Sequence, residues 1–236
     1  MRLLAVMLLL AAVTVAARSS PQERRADGRI DPGPASFRIY EKGQVVGSME
    51  MTVESKAEGW RLHGSSRSTG AVPVVIPNLD FYYDPSWAGR FMTLEMKAPD
   101  DAIVHVAVTG ETTRTDIVRS TEARFRSNSV SPDTIFLPDR SYGAYEAVAA
   151  RLDGAVPGFD LPLFIVPFGE TRGRVDEVTT ERVMTSRGPI EAHRYVLTEF
   201  RERPTPAVVW VYRGRLLRLD LPRAAISVVR SDVVGV

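Results

Sequence analysis

The sequence predicts a mainly β protein: a strongly curved antiparallel sheet, in the form of an open or half barrel, with one short α-helix. Short stretches in which apolar and polar residues alternate recur from residue 37 to the end of the chain. Gly-containing turns separate many of these stretches, and only one segment has the 3.6-residue period of a helix. Closely spaced strands joined by hairpin turns favour a meander that curls into a barrel or half-barrel.

The N-terminus has the composition of a secretory signal peptide. Arg2 precedes an apolar run that ends with the small pair Ala16-Ala17, and this run is shorter than the ~20 residues of a membrane span. We expect cleavage after Ala17, no membrane span in the mature protein, and a periplasmic or secreted location. The alternative is a retained membrane anchor. A lipidated N-terminus is excluded, because the chain contains no cysteine.

Two further segments complete the predicted organisation. Residues 18–34 are polar, charged and rich in Pro and Gly, which predicts a flexible leader. Residues 35–236 are predicted to form a single β-rich domain, long enough to bury a core without covalent staples. Without cysteine this domain has no disulfide, no thiolate nucleophile and no Cys-type zinc site.

The charge balance predicts no strong electrostatic attraction to nucleic acid or to an anionic membrane. The whole chain has a formal net charge of +1, and the signal peptide carries Arg2 and no acid, so the mature chain is formally neutral. We therefore expect no binding to nucleic acid.

The first half of the domain is predicted to consist of successive β-strands. In residues 45–53 Val45, Met49, Met51 and Val53 alternate with polar residues, after a turn that contains Gly43, which predicts an opening β-hairpin. Further strands are predicted within residues 60–63, 80–83, 90–96, 102–108 and 113–125.

One helix is predicted between residue 139 or 141 and residue 151. Pro138 precedes it and Gly154 follows it, which are start and stop signals. The apolar residues at positions i, i+3, i+4 and i+7 are Tyr145, Val148, Ala149 and Leu152.

The segment after the helix is apolar but contains three prolines within residues 157–168. Because proline cannot donate a ladder hydrogen bond, we expect a buried or rim-lining extended segment outside the centre of the sheet. Strands are predicted again within residues 174–184, 191–200, 208–212, 216–221 and 226–229.

Two stretches carry a resemblance to a known group. Residues 37–47 (FRIYEKGQVVG) and 209–219 (VWVYRGRLLRL) resemble the opening and closing hairpins of a family of uncharacterised exported bacterial β proteins. Members of that family are similar to periplasmic lipoprotein carriers, so the resemblance implies a curved half-barrel around an apolar cavity, with helix packed at its mouth. It implies no catalytic or binding residue.

No pattern predicts catalysis or a cofactor. His63, His105 and His193 are far apart in the sequence and form no HExxH motif. Ser65 and Ser66 lack the flanking glycines of a nucleophile elbow. We therefore expect a non-enzymatic protein with no metal and no cofactor; a hydrolase is the third alternative, and it would need one of the histidines beside a serine or carboxylate in a cleft.

Apolar side chains are the remaining candidates for function. Methionine is flexible and polarizable, so a methionine-lined wall adapts to acyl chains. The hypothesis is that the concave face of the sheet binds a lipid or other apolar small molecule. The alternative is an envelope scaffold or protein-interaction module whose core is filled by its own side chains. The candidate ligand-binding residues are Met49, Met51, Trp60, Met92, Met96, Phe164 and Trp210.

Overall fold

A computed structural model describes residues 30–200 and 204–235. The strands before the helix are β1 (Gly33–Glu41), β2 (Gln44–Lys56), β3 (Gly59–Ser68), β4 (Val74–Tyr83), β5 (Gly89–Met96), β6 (Ala102–Thr109), β7 (Thr112–Val118), β8 (Ala123–Ser129) and β9 (Ile135–Pro138). A 3-10 turn (Tyr142–Ala144) leads directly into helix α1 (Tyr145–Leu152). The strands after the helix are β10 (Asp160–Val166), β11 (Gly169–Thr185), β12 (Gly188–Phe200), β13 (Thr205–Tyr212), β14 (Arg215–Leu221) and β15 (Ile226–Arg230).

All of these strands belong to one 15-stranded sheet. Strands that follow one another in the chain pair antiparallel, with two exceptions: β8 and β9 do not pair, and β9 and β10 pair in parallel. Strand β1 also pairs antiparallel with β15, which joins the two halves of the sheet. Parallel neighbours need a connection that leaves the sheet, and α1 lies in that connection. The predicted mainly β fold with one short helix is confirmed.

The sheet rolls up but does not close into a barrel. Its two end strands, β8 and β9, do not pair with each other. Instead β9 lies against β5: the Gly89 N–H donates to the Thr134 carbonyl at 2.8 Å, and Phe136 packs against Gly89. The two ends of the sheet therefore overlap.

The 3-10 turn and α1 occupy the interior of the rolled sheet. Gly143 lies against the side chains of Met51 on β2 and Leu79 on β4, and Glu146 accepts a hydrogen bond from the Leu216 N–H of β14 at 3.0 Å. Small side chains allow this close approach. The fully buried residues of this segment include Ala144, Ala147, Val148, Ala149 and Leu152.

The proline-containing segment forms β10, a largely buried strand one position from the end of the sheet, as expected for an extended segment outside the centre. β10 pairs with β11 on one side and with β9 on the other. However, β9 pairs only with the part of β10 from Leu163 to Val166, so Pro162 has no strand beside it on that side. A proline is tolerated there because no ladder hydrogen bond is lost.

The described chain begins before the predicted start of the domain at residue 35. Ile30 packs in the main core against Gly214, and β1 begins at Gly33. The predicted signal peptide and residues 18–29 of the predicted leader lie outside the described residues and stay predictions. No described helix has the length and apolar character needed to cross a membrane.

Candidate functional site

Four of the predicted ligand-binding residues meet in the main core of the rolled sheet. Met49, Met51, Met92 and Phe164 are each at most 1% exposed and belong to one continuous apolar cluster. Because almost none of their surface is accessible to water, these side chains border little empty space. Their neighbours are core side chains and, for Met51, the 3-10 turn at Gly143.

The other three predicted residues are placed differently. Trp60 is half-buried at the margin of the main core, where its ring stacks on Trp87 at 5.1 Å. Met96 is half-buried near the end of β5. Trp210 belongs to a second, smaller cluster, whereas its neighbours Val209 and Val211 belong to the main core. Because side chains alternate along a strand, Trp210 lies on the opposite, outer face of the sheet.

Trp210 packs against cations rather than a cavity. The guanidinium groups of Arg194 and Arg218 lie 5.6 and 4.9 Å from its rings, and its indole N–H donates to Glu181. The structure therefore does not bring Trp210 together with the methionines.

The three histidines lie on three separate strands, β3, β6 and β12. His105 is within 3.1 Å of the Thr93 hydroxyl, and His63 lies 3.4 Å from Glu54. Within residues 30–200 and 204–235, no group of three His, Asp or Glu side chains is arranged to hold a metal ion.

A pocket opens at one end of the rolled sheet. Its volume is about 380 Å3. The end of β9, the start of α1, the end of β12 and the residues after β14 meet there. The lining residues are Leu137, Pro138, Asp139, Arg140, Ser141, Tyr142, Tyr145, Glu199, Thr205, Leu221, Arg223 and Ala224.

Buried polar groups distinguish this open-end pocket from the core. The Tyr145 hydroxyl donates to the Glu199 carboxylate at 2.6 Å, and Glu199 is only 3% exposed. Ser141 is 2% exposed, and its hydroxyl has no hydrogen-bond partner in the described part of the chain. Burial raises the pKa of Tyr142, as does the nearby Asp139.

The sequence analysis missed this pocket. Glu199 and Tyr145 are 54 residues apart in the chain, and neither occurs in a motif. A local pattern does explain Ser141: its N–H donates to the Pro138 carbonyl at 3.1 Å, and Arg140 between them has a φ of 60°. This tight turn before α1 directs Ser141 inward, but turn chemistry alone carries no signal for a binding site.

The second exposed feature is the edge strand β8. It pairs with β7 along its whole length, and no described strand pairs with its other side. Only the residues near its C-terminal end approach the opposite end of the sheet, where Ser131 donates to Glu170 from its N–H at 2.7 Å and its hydroxyl at 2.6 Å. We call residues 123–127 of β8 the open edge.

The open edge carries an exposed aromatic residue and two arginines. Phe125 is 78% exposed, and exposed Val118 and Ile103 continue an apolar patch across the outer faces of β7 and β6. Arg124 pairs with Glu122 at 2.9 Å. Arg126 forms no ion pair with any residue of the described chain.

Comparison with known proteins identifies the fold. A crystal structure of a β-barrel-like protein of the domain of unknown function DUF1849, from Brucella abortus, is similar with a TM-score of 0.55 and 11% sequence identity, over 88% of this chain and 97% of that one. A DUF1089 family protein from Pseudomonas aeruginosa aligns with a TM-score of 0.45 and 12% identity, over 74% of this chain and 89% of that one. No protein-family model matches the chain, and no curated protein does.

These likenesses concern the fold alone. The chain has a fold similar to that of β-barrel-like proteins of unknown function, as the resemblance to an uncharacterised β family implied. The implied similarity to periplasmic lipoprotein carriers is not confirmed by these structures and stays a prediction.

Proposed function

We propose that this chain is an exported, non-enzymatic protein-interaction module that binds its partner through the open edge of β8. The observation that carries the proposal is the combination of an unpaired strand edge with a 78% exposed Phe125, while the interior of the sheet is occupied by the protein's own helix and side chains. A partner then has to bind on the outside.

The backbone of the open edge supplies the binding groups. In an antiparallel pair, only half of a strand's N–H and C=O groups point at its neighbour, and at a sheet edge the other half point outward. An extended segment of another protein can add to such an edge as a further strand, with main-chain hydrogen bonds for affinity and side-chain contacts for specificity. Phe125 and its apolar neighbours supply one such contact surface.

The charges indicate the chemistry of the partner. Arg124 and Arg126 lie on the same side of β8, opposite to the side of Phe125. A second copy of this chain paired antiparallel about Phe125 would place Arg124 opposite Arg126 in both directions, and like charges opposite each other are destabilising. The charges favour instead an extended segment with acidic residues facing the arginines and an apolar residue facing Phe125.

Site-specific photo-crosslinking in the native cell envelope tests the proposal. A photoreactive phenylalanine analogue at Phe125 should form one major adduct with another protein, through an extended acidic segment identified by mass spectrometry. Arg126→Glu should abolish this adduct, because it reverses the charge that the partner faces. Arg182→Glu, on an exposed part of β11, should leave the adduct unchanged.

A matched control uses the same analogue at Phe168, which is 68% exposed outside β8. Equal adducts from both positions, no adduct from Phe125, or an adduct between two copies of this chain would each contradict the proposal.

A lipid carrier is the second candidate, supported by the sequence resemblance. It requires space beside the methionines of the concave face, and their burial weighs against it. Mass spectrometry of the mature protein purified from its own envelope separates the two functions. A stoichiometric co-purified lipid, lost on Met51→Trp, would favour the carrier over the interaction module.

A further inference from the structure

We infer that the partner segment runs antiparallel to β8 and has, from its N-terminus, the residue order acidic, apolar, any, apolar. This inference rests on the proposed function, because it specifies the partner of the same open edge. Three observations carry it: the backbone groups that β8 directs outward, the length of edge that is free, and the side chains on its two faces.

Alternate residues of β8 direct their backbone groups away from β7. The β7–β8 ladder has no bulge, and in its register the Arg119 N–H donates to the Glu122 carbonyl at 2.8 Å and the Val130 N–H to the Glu111 carbonyl at 2.9 Å. Hydrogen-bonded pairs recur at every second residue of an antiparallel ladder, so the even-numbered residues of β8 bond to β7. The residues of the open edge whose N–H and C=O groups point outward are therefore Ala123, Phe125 and Ser127.

The free part of this edge is short. It begins after the turn of residues 119–122 and ends where β8 approaches β11: a Cβ atom at Gly169 would lie 3.9 Å from the side-chain oxygen of Asn128. An added segment can therefore pair with residues 123–127 and no further, which makes each of its side chains count toward specificity.

Antiparallel addition is favoured over parallel addition. Parallel pairing is slightly less stable per residue, and among the described strands only β9 and β10 pair in that way. In an antiparallel addition, the partner residue opposite Phe125 exchanges both backbone hydrogen bonds with it. The partner's side chains then alternate between the outer face, where Phe125 lies, and the face of the two arginines.

Arg126 determines where the acidic residue lies. Arg124 already binds Glu122 at 2.9 Å, whereas Arg126 is exposed and forms no ion pair with any residue of the described chain. Opposite charges that face each other across two strands stabilise their pairing. A carboxylate opposite Arg126 therefore gains an ion pair, and the position opposite Arg124 needs no charge.

The outer face selects the two apolar residues. One lies opposite Phe125, which is 78% exposed. The other lies opposite Ala123, which forms a cross-strand row with Val118 and Ile103, 43% and 37% exposed. Because Ala123 has only a methyl group, a larger apolar side chain opposite it can extend over it towards Val118. An antiparallel segment thus presents acidic, apolar, any and apolar residues opposite residues 126 to 123 in turn.

Fluorescein-labelled peptides and the purified protein test the inference by fluorescence anisotropy. The peptide GSEVTIG has the inferred order, GITVESG is the same sequence reversed, and GSKVTIG has lysine in place of glutamate. We expect GSEVTIG to bind saturably and at least about fivefold tighter than either of the others.

Exchanging the charge tests the contact with Arg126. Arg126→Glu should reverse the preference, so that GSKVTIG binds tighter than GSEVTIG. Arg124→Gln is the matched control on the same face of β8. It should weaken GSEVTIG less than about twofold, because no charge of the peptide faces residue 124.

The backbone contacts have their own measurements. By NMR, hydrogen exchange at the amides of Phe125 and Ser127 should be fast in the free protein and slowed by GSEVTIG. Ser127→Pro removes an outward N–H without breaking the ladder, so it should fold normally, as checked by thermal unfolding. It should weaken GSEVTIG about fivefold, the effect of one lost hydrogen bond. Ser129→Pro, beyond the open edge on the same strand, is the control and should leave the peptide affinity unchanged.

Four outcomes overturn the inference. GSEVTIG does not bind saturably; the reversed or the lysine peptide binds the unaltered protein as tightly; Arg126→Glu keeps the original preference; or the bound peptide leaves exchange at Phe125 and Ser127 unchanged. If the photo-crosslinked adduct at Phe125 still forms in the envelope, such a result rejects the inferred segment and leaves the interaction module standing. Absence of that adduct contradicts the module itself, and the inference with it.

Discussion

Two buried tyrosines make the stability of this fold depend on pH. Tyr83 is buried in the main core and its hydroxyl has no hydrogen-bond partner in the described chain. Burial alone raises its pKa far above the ordinary value. For Tyr195, burial and then the nearby Asp153 raise the pKa to about 12. Both side chains therefore resist ionisation only while the protein is folded.

The first prediction concerns alkaline stability. In the unfolded chain both tyrosines titrate near pH 10, whereas in the folded protein they keep their protons to higher pH. The stability they provide is full below pH 10 and falls as pH rises above it, because the unfolded state then binds fewer protons. Tyr83→Phe should flatten this decline, as measured by urea unfolding from pH 8 to 11.

The same variant has a second expected effect at neutral pH. Because the Tyr83 hydroxyl is buried without a partner, its removal should leave the free energy of unfolding unchanged or raise it by about 1 kcal/mol. A loss of more than about 1 kcal/mol at pH 7, or an unchanged alkaline slope, would contradict the reading of Tyr83 as an unpartnered core hydroxyl.

At the scale of elements, one buried ion pair fastens the interior helix to the sheet. The Arg215 guanidinium of β14 donates to both carboxylate oxygens of Glu146 on α1, at 3.2 and 3.1 Å. Arg215 also donates to the Asp31 carbonyl at 2.7 Å, so the pair joins α1, β14 and the start of the described chain. The Glu146 side chain is fully buried.

The second prediction removes one partner of this pair. Arg215→Met should lower the free energy of unfolding by about 3–5 kcal/mol, because it leaves the Glu146 carboxylate buried without its cation. The double variant Glu146→Leu/Arg215→Met should recover part of that loss, since no unpaired charge remains. Chemical denaturation of both variants measures the two values.

An exposed pair provides the control. Arg114 is bound to Asp116 at 3.1 Å on the surface of β7, and Arg114→Met should cost no more than about 1 kcal/mol. If Arg215→Met were equally mild, the ion pair would not hold α1 in place.

At the scale of the whole molecule, the overlap of the two sheet ends determines the shape. β9 lies against β5 instead of pairing with β8, which leaves β8 as an end strand with an open edge. The close approach depends on Gly89: a Cβ atom there would come within 2.8 Å of the Phe136 ring.

The third prediction is that Gly89→Ala forces the sheet ends apart. The aromatic ring of Phe136 is rigid and cannot move aside as the end of a flexible side chain can. The variant should therefore lose about 1–3 kcal/mol of stability, as overpacked cores do. Adding Phe136→Leu should restore part of the loss by making room. Thermal unfolding and hydrogen exchange at the amide of residue 89 measure the effect. If Gly89→Ala left the stability unchanged, β5 and β9 would have room for the added methyl group.

The sequence predicted the fold class, but not how the candidate side chains are grouped in the folded chain. Alternation along the opening hairpin placed Met49 and Met51 on one face, as found. Alternation could not tell whether that face lines a cavity or a packed core, because this depends on how much of the interior is filled by α1. Trp210 was grouped with the methionines on hydrophobicity alone, although its position between Val209 and Val211 put it on the other face.

The sequence by itself determined most of the strands, the turn at Gly43 and the single helix, because these follow from local backbone preferences and from side-chain alternation along each strand. It did not separate β7 from β8 within residues 113–125, and it did not predict β9. Only the tertiary structure decided that the sheet rolls around its own helix, that Tyr145 meets Glu199, and that β8 is left as an open edge. Those outcomes depend on the register and curvature summed over all the strands, and on contacts between residues far apart in the chain, which no local pattern encodes.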